Sequence, residues 1–158
     1  MIDGPPPMLE SRIEPGASLV IDTSVVVAYL TGTEAISPLT VELFDGLVAT
    51  GRNPATLSAV TVAEILVRPF GRGPAALANV EGFLRHFADL RLLPVDYDVA
   101  REGARLRAMT GIPMPDALII SSAAVGGCDL VVTNDRSWPA TVASSLPELA
   151  FLVLADLT

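Results

Sequence analysis

The sequence predicts an α/β fold with a central, mostly parallel sheet of four or five strands and helices on both faces. Short apolar runs bounded by turn residues alternate with amphipathic stretches, which is the pattern of strand–helix–strand units. The length of 158 residues is that of one ordinary domain. Apolar residues make up 51% and charged residues 18%, so the chain can bury a core along most of its length.

Five short apolar stretches are the predicted strands. They are rich in Val, Leu and Ile and are bounded by residues typical of turns. Their ranges are 18–21, 57–60, 91–95, 129–132 and 150–154. We expect the last of them to lie at an edge of the sheet.

Helices are predicted between these strands from apolar spacing and from end signals. Thr31-Gly32 should end the first helix, and Pro69 with Gly71 should interrupt the helix that Thr61 opens. The helix that follows Pro115-Asp116 is apolar or small on nearly every side, which is typical of a helix in the middle of a domain. The other predicted helices cover about 37–50, 74–87 and 96–110.

The N-terminal segment has a different composition from the rest. Residues 1–17 are rich in Pro, Gly and acids, so we expect a flexible lead before a single domain at 18–158. This segment has no basic start with a long apolar centre, and no apolar run approaches the roughly 20 residues that a membrane span needs. The prediction is a cytoplasmic protein without membrane association.

The ionisable residues exclude several chemistries. All ten basic residues are arginine, and there is one histidine, His86. Phosphate-binding loops of the Walker type and Schiff-base enzymes require lysine, and Ser-His-Asp triads require a suitably placed histidine. We interpret His86 as structural, and the single cysteine, Cys128, as a small buried thiol without a function. The net charge of −8 disfavours binding of a polyanion unless bound cations reverse the local field.

Four acids occupy positions that could bring them together. Asp22 and Asp135 directly follow predicted strands, and the carboxyl ends of parallel strands lie at one edge of a sheet. Glu64 and Asp116 lie in the first turns of helices that would begin at that edge. Oxygen ligands of this kind suit Mg²⁺ or Mn²⁺, and two such ions about 4 Å apart can promote phosphodiester hydrolysis.

Each acid also has a structural explanation that the sequence leaves open. Asp22 could cap the helix that follows it. Thr61 and Glu64 match a capping box, in which Glu64 would only bond to the backbone. Asp116 could complement a helix dipole, and Asn134-Asp135 is an ordinary turn pair.

A family resemblance favours the functional interpretation. In their order and separation, four segments between Leu19 and Trp138 resemble the PIN-domain family, and in particular the VapC toxins of bacterial toxin–antitoxin pairs. The segments are Asp22-Thr23-Ser24, Ala63-Glu64-Ile65, residues 110–119 (TGIPMPDALI) and residues 131–136 (VVTNDR).

The resemblance implies a PIN-like three-layer fold over residues 18–158. It implies that Asp22, Glu64, Asp116 and Asp135 are catalytic acids that bind Mg²⁺, with Mn²⁺ able to substitute. The activity implied is that of a toxin, an endoribonuclease that cleaves RNA with metal-activated water. A cognate antitoxin and a homodimer are also implied. The residues expected to support the acids by hydrogen bonds are Thr23, Ser24 and Thr133.

The chain departs from the family at two points. The last acid of the family sometimes lies two residues later, where this chain has Ser137. The family often has lysines around its cleft, and here the candidates for RNA contact are arginines: Arg136, Arg68 and Arg72.

The sequence leaves two other functions open. A PIN-like domain that has lost catalysis could bind only RNA or protein. An aspartate-based phosphatase or phosphoacceptor domain also places acids at strand ends, but it needs a lysine and a second acid where Ser24 stands.

Overall fold

The computed structural model describes residues 7–158 and contains one five-stranded sheet. The strand order is β3-β2-β1-β4-β5, and every neighbouring pair is parallel. The predicted α/β class and its PIN-like arrangement of helices on both faces are confirmed. The strands are β1 (Leu19–Ile21), β2 (Ala55–Ser58), β3 (Leu90–Leu93), β4 (Leu130–Thr133) and β5 (Ala150–Val153).

Seven α-helices occur in the described residues. The second continues directly into a π-helical segment, Glu42–Val48, and β5 continues into a 3₁₀ turn, Leu154–Leu157. The α-helices are α1 (Thr23–Thr31), α2 (Ser37–Val41), α3 (Ala59–Arg72), α4 (Pro74–His86), α5 (Tyr97–Thr110), α6 (Met114–Gly126) and α7 (Trp138–Val142).

The sheet separates two hydrophobic clusters because successive side chains of a strand point to opposite faces. Leu19 and Ile21 of β1 belong to a cluster with buried residues of α1 and α2. Val20, between them, belongs to a second cluster with Leu106 of α5 and Ile120 of α6. The two clusters therefore lie on opposite faces of the sheet, each between the strands and a layer of helices.

Two predicted boundaries were wrong around β2 and α3. The strand ends at Ser58, whose hydroxyl accepts a hydrogen bond from the Val60 amide (3.1 Å) and caps α3. The helix then continues through Pro69 and ends at Arg72, with Gly73 in the C-cap position. A proline removes one helical hydrogen bond, but Pro69 is buried, and its packing offsets that loss.

The described part of the N-terminal segment, residues 7–17, is not a flexible lead. Leu9 and Ile13 are 0% and 2% exposed and pack into the first core cluster. The carboxylate of Glu42 accepts hydrogen bonds from the backbone amides of Leu9 and Glu10. Composition suggested mobility, but two apolar side chains four residues apart anchor the segment. Residues 1–6 of the predicted lead lie outside the described residues.

No helix within residues 7–158 combines the length and the apolar character that crossing a bilayer requires. His86 lies exposed at the end of α4. Cys128 is a free, half-buried cysteine, and burial raises the pKa of its thiol.

Candidate active site

A cavity of about 650 Å³ lies at the carboxyl edge of the sheet. All four predicted acids line it. Asp22 follows β1, Asp135 lies just after β4, and α3 and α6 contribute one acid each. Segments far apart in sequence are thus brought together as the parallel sheet predicts. The other lining residues are Thr23, Ser24, Asn134, Arg136 and Trp138.

Asp22 is the most buried of the four acids, with 5% of its surface exposed. It occupies the N-cap position of α1, but its side chain makes no capping hydrogen bond. Its Oδ2 atom instead accepts hydrogen bonds from the hydroxyls of Ser24 (2.9 Å) and Thr133 (2.8 Å). Burial raises the pKa of Asp22 to about 6; the two hydroxyls oppose this shift, and the charge of Asp116 adds to it. The carboxylate is therefore a buried charge without a cationic partner among the described residues.

Glu64 does not form the capping box that its spacing with Thr61 allowed. The N-cap of α3 is Ser58, so Glu64 lies in the second turn of the helix and not in the first. Its carboxylate accepts a hydrogen bond from the Thr23 hydroxyl (2.8 Å), and Thr23 Oγ1 lies 3.0 Å from Thr61 Oγ1. The hydroxyl of Thr23, the residue after Asp22, therefore orients the Glu64 carboxylate.

Asp116 lies in the first turn of α6, where the sequence placed it, and it is partly buried. Burial raises the pKa of Asp116, and the charges of Asp135 and Glu64 raise it further, whereas the nearby indole of Trp138 lowers it. The indole nitrogen is itself buried, and it lacks a hydrogen-bond partner of good geometry within the described chain. We interpret the pair as close neighbours that do not form a full hydrogen bond in this arrangement.

Asp135 has the turn role that its sequence allowed and also faces the cavity. Its Oδ1 atom accepts hydrogen bonds from the backbone amide (2.8 Å) and hydroxyl (2.6 Å) of Ser137. Its own amide donates to Thr133 Oγ1 (3.0 Å), so one threonine contacts both Asp22 and Asp135. Asn134 also lines the cavity, and its buried Oδ1 atom has no partner in the described residues.

The three candidate arginines have different positions. Arg136 lines the acidic cavity, but its guanidinium binds Asp156 Oδ1 (2.8 Å) and the carbonyl of Ala155. Arg68 and Arg72 do not line this cavity. They line a second cavity of about 260 Å³ between α1, α3 and α4. The sequence did not reveal that Arg136 is engaged by the C-terminal turn.

Asn134 and Trp138 also line the cavity, although neither is among the residues that the sequence predicts for the site. Both residues lie within three positions of Asp135, just after β4. This closeness to a predicted site acid is the signal that could have indicated both.

The donor chemistry of the cavity fits a divalent cation. Four carboxylates and the unpaired amide oxygen of Asn134 offer only hard oxygen ligands, which Mg²⁺ and Mn²⁺ prefer. The acids are not preassembled, however. Within residues 7–158, no three acidic, histidine or cysteine side chains are close enough to form a ready metal cage. Like charges repel, so carboxylates without a cation between them are expected to stay apart.

Comparison with known proteins identifies the family. The PIN domain family model matches residues 19–143, so the chain belongs to the PIN domain family. The predicted family resemblance is thereby confirmed. A search of curated protein sequences found no match.

Solved structures with similar folds include toxin–antitoxin proteins. FitAcB from Neisseria gonorrhoeae has a TM-score of 0.65 at 23% identity, covering 87% of this chain and 98% of that one. VapBC-5 from Mycobacterium tuberculosis, a member of the VapBC family of toxin–antitoxin systems, has a TM-score of 0.54 at 27% identity, with coverage of 87% and 98%. VapC20 from M. tuberculosis, described as a sarcin–ricin loop cleaving toxin, has a TM-score of 0.58 at 16% identity, with coverage of 72% and 86%.

Proposed function

We propose that this protein is a Mg²⁺-dependent endoribonuclease and the toxin of a toxin–antitoxin pair. The observation that carries the proposal is the meeting of Asp22, Glu64, Asp116 and Asp135 around one cavity in a PIN domain. Each acid comes from a different segment of the chain. The structural roles that the sequence allows for these acids, at helix ends and in a turn, do not require the four side chains to lie around one cavity.

The acids would hold the cation through oxygens that accept no side-chain hydrogen bond. Asp22 Oδ1, Glu64 Oε2 and Asp135 Oδ2 accept no side-chain hydrogen bond within residues 7–158. Bound Mg²⁺ would supply an activated water and would neutralise charge on the departing oxygen of a phosphodiester, and Mn²⁺ is expected to substitute. The side chains position the attacking water and the phosphate, and one carboxylate takes the water's proton.

RNA is the substrate that we propose, and the cytoplasm is where the protein would meet it. Support comes from the fold shared with VapC20, which is described as cleaving the sarcin–ricin loop. Arg136 is the arginine at the cavity and would contact a phosphate after exchanging its bond to Asp156. Arg68 and Arg72 would contact more distant parts of the RNA backbone.

Cleavage of a structured RNA with and without Mg²⁺ tests the proposal. Asp22→Asn and Asp116→Asn are each expected to lower the cleavage rate by at least about 100-fold, because the carboxylates act only when charged. Asp89→Asn is the matched control, since Asp89 is exposed and lies outside the cavity. Undiminished cleavage in both cavity variants, or equal cleavage in EDTA, would contradict the proposal.

We also propose a cognate antitoxin as partner and a homodimer as the free state. The cavity between α1, α3 and α4 has apolar walls that include Val27, Leu30 and Val80, and it lies on the two helices that carry Thr23 and Glu64. Val67 and Phe70 of α3 are 69% and 67% exposed, which leaves apolar surface for a partner. Co-expression with the product of the adjacent small reading frame should give a stable complex, and light scattering measures the oligomer.

A PIN domain without catalysis is the second candidate. The observation that favours it is that the acids do not form a ready metal cage in residues 7–158. Calorimetric titration with Mn²⁺ separates the two functions: saturable binding that Asp116→Asn weakens supports the nuclease, and absence of binding supports the inactive module.

A further inference from the structure

Three of the four acids of the cavity share a pattern of hydrogen bonds. A hydroxyl group donates to one carboxylate oxygen, and the other oxygen accepts no side-chain hydrogen bond within residues 7–158. The donors are Ser24 and Thr133 on Asp22 Oδ2, Thr23 on Glu64 Oε1, and Ser137 on Asp135 Oδ1. Such outer donors fix the orientation of carboxylates that bind metal.

Asp116 departs from this pattern. No side chain in the described residues donates a hydrogen bond of good geometry to it, although it is partly buried in the same cavity. Beside it lies Trp138, which is 2% exposed and whose indole nitrogen has no partner in the described chain. Trp138 and Asp116 line the same cavity. An unpaired buried donor thus lies next to the one acid that lacks a donor.

We propose that Trp138 is a positioning residue whose indole N–H donates to one oxygen of Asp116 and leaves the other oxygen free for the cation. This inference rests on the proposed function, because it assigns a role within the same metal site. Trp138 is the first residue of α7, and its ring packs in the second core cluster, so the direction of its N–H is fixed. A buried N–H without a partner is unfavourable, and a small movement of Asp116 toward it would satisfy both groups.

The chain contains one tryptophan, so a tryptophan analogue supplied during expression changes a single site. Benzothienylalanine keeps the shape of the ring and replaces N–H by sulfur. We expect this replacement, and Trp138→Phe, to weaken Mn²⁺ binding by about 10–100-fold while the circular dichroism spectrum is unchanged. Ser121→Ala is the matched control: Ser121, like Trp138, is a buried group without a partner in the described residues. It lies on α6, the helix of Asp116, and it does not line the cavity. It should leave Mn²⁺ affinity unchanged.

A second measurement does not depend on metal. In the metal-free protein, the indole ¹H–¹⁵N resonance should shift upfield in Asp116→Ala, which removes the acceptor, and should shift much less in Asp135→Ala. Wild-type Mn²⁺ affinity in the benzothienylalanine protein, or an indole resonance that ignores Asp116→Ala, would overturn the role of Trp138. If the wild-type protein binds no Mn²⁺, the proposed function fails, and the indole resonance alone then decides whether the pair exists.

Discussion

Replacing Asp22 by asparagine is expected to stabilise the metal-free protein. The native pKa of Asp22 is about 6, against an ordinary value of 3.8, and burial is the main cause. Between these two pH values the folded state binds more protons than the unfolded state, so the free energy of unfolding falls as the pH rises. Above about pH 6 the carboxylate is charged in both states, and the folded state bears the full cost.

The size of the effect follows from the shift in pKa. About two pKa units correspond to ~3 kcal/mol at 1.36 kcal/mol per unit. Asparagine keeps an oxygen that can accept the hydrogen bonds from Ser24 and Thr133, and its NH₂ group replaces the other carboxylate oxygen. We therefore expect Asp22→Asn to raise the free energy of unfolding by about 2–3 kcal/mol near neutral pH. For a domain of this size that corresponds to a Tm increase of roughly 4–12 °C.

Urea unfolding in EDTA, near neutral pH and again near pH 4, measures the effect. The advantage of Asp22→Asn should nearly vanish at the lower pH, where the wild-type carboxyl group is largely protonated in the folded state. Glu148→Gln changes an exposed carboxylate that makes no side-chain hydrogen bond within residues 7–158, and it should stay within about 0.5 kcal/mol of the wild type at both pH values. Equal stability of Asp22→Asn and wild type near neutral pH, or an advantage that does not depend on pH, would refute the electrostatic reasoning.

Two further predictions concern packing. Leu9→Ala should lower the free energy of unfolding by about 2–5 kcal/mol in urea titrations, because Leu9 is fully buried in the core; a loss below about 0.5 kcal/mol would show that the N-terminal segment is not anchored. Gly103→Ala should lower it by about 1–3 kcal/mol, because the new Cβ would lie 2.6 Å from Leu118 Cδ2 where α5 packs on α6. Gly82→Ala on α4 meets no atom within 4 Å and should instead raise stability by up to about 1 kcal/mol, so similar effects at the two glycines would contradict this packing.

Much of the fold could be predicted because its signals are local. Gly32 ends α1 in the left-handed conformation, as the sequence indicated. The helix predicted over about 96–110 is α5, which Asp96 caps through a bond from the Val99 amide (3.0 Å) and which ends before Gly111. The parallel sheet followed from apolar runs that alternate with helices. Its carboxyl edge then predicted that Asp22 and Asp135 lie near each other.

Other features depend on tertiary contacts that the sequence does not display. The continuity of α3 through Pro69 depends on burial of the proline, and the order of residues 7–17 depends on Leu9 and Ile13 meeting the core. The pairing of Arg136 with Asp156 joins two segments twenty residues apart. The donors to the acids could be anticipated at Thr23, Ser24 and Thr133, but the proximity of Trp138 to Asp116 could not, because it requires the positions of α6 and α7.

The charge balance bears directly on how RNA would be bound. Within residues 7–158, four of the ten arginines already have partners: Arg52 binds Asn53 and a carbonyl, Arg105 binds Glu102, Arg107 binds two carbonyls before α6, and Arg136 binds Asp156. All ten arginines together still leave the chain with a net charge of −8. Because nonspecific RNA affinity comes mainly from neutralised phosphates, the metal-free protein should bind RNA weakly. A cation among the four acids would therefore have two effects: it would remove the cost of the buried Asp22 charge, and it would convert a cavity lined by four acids into one that a phosphate can approach.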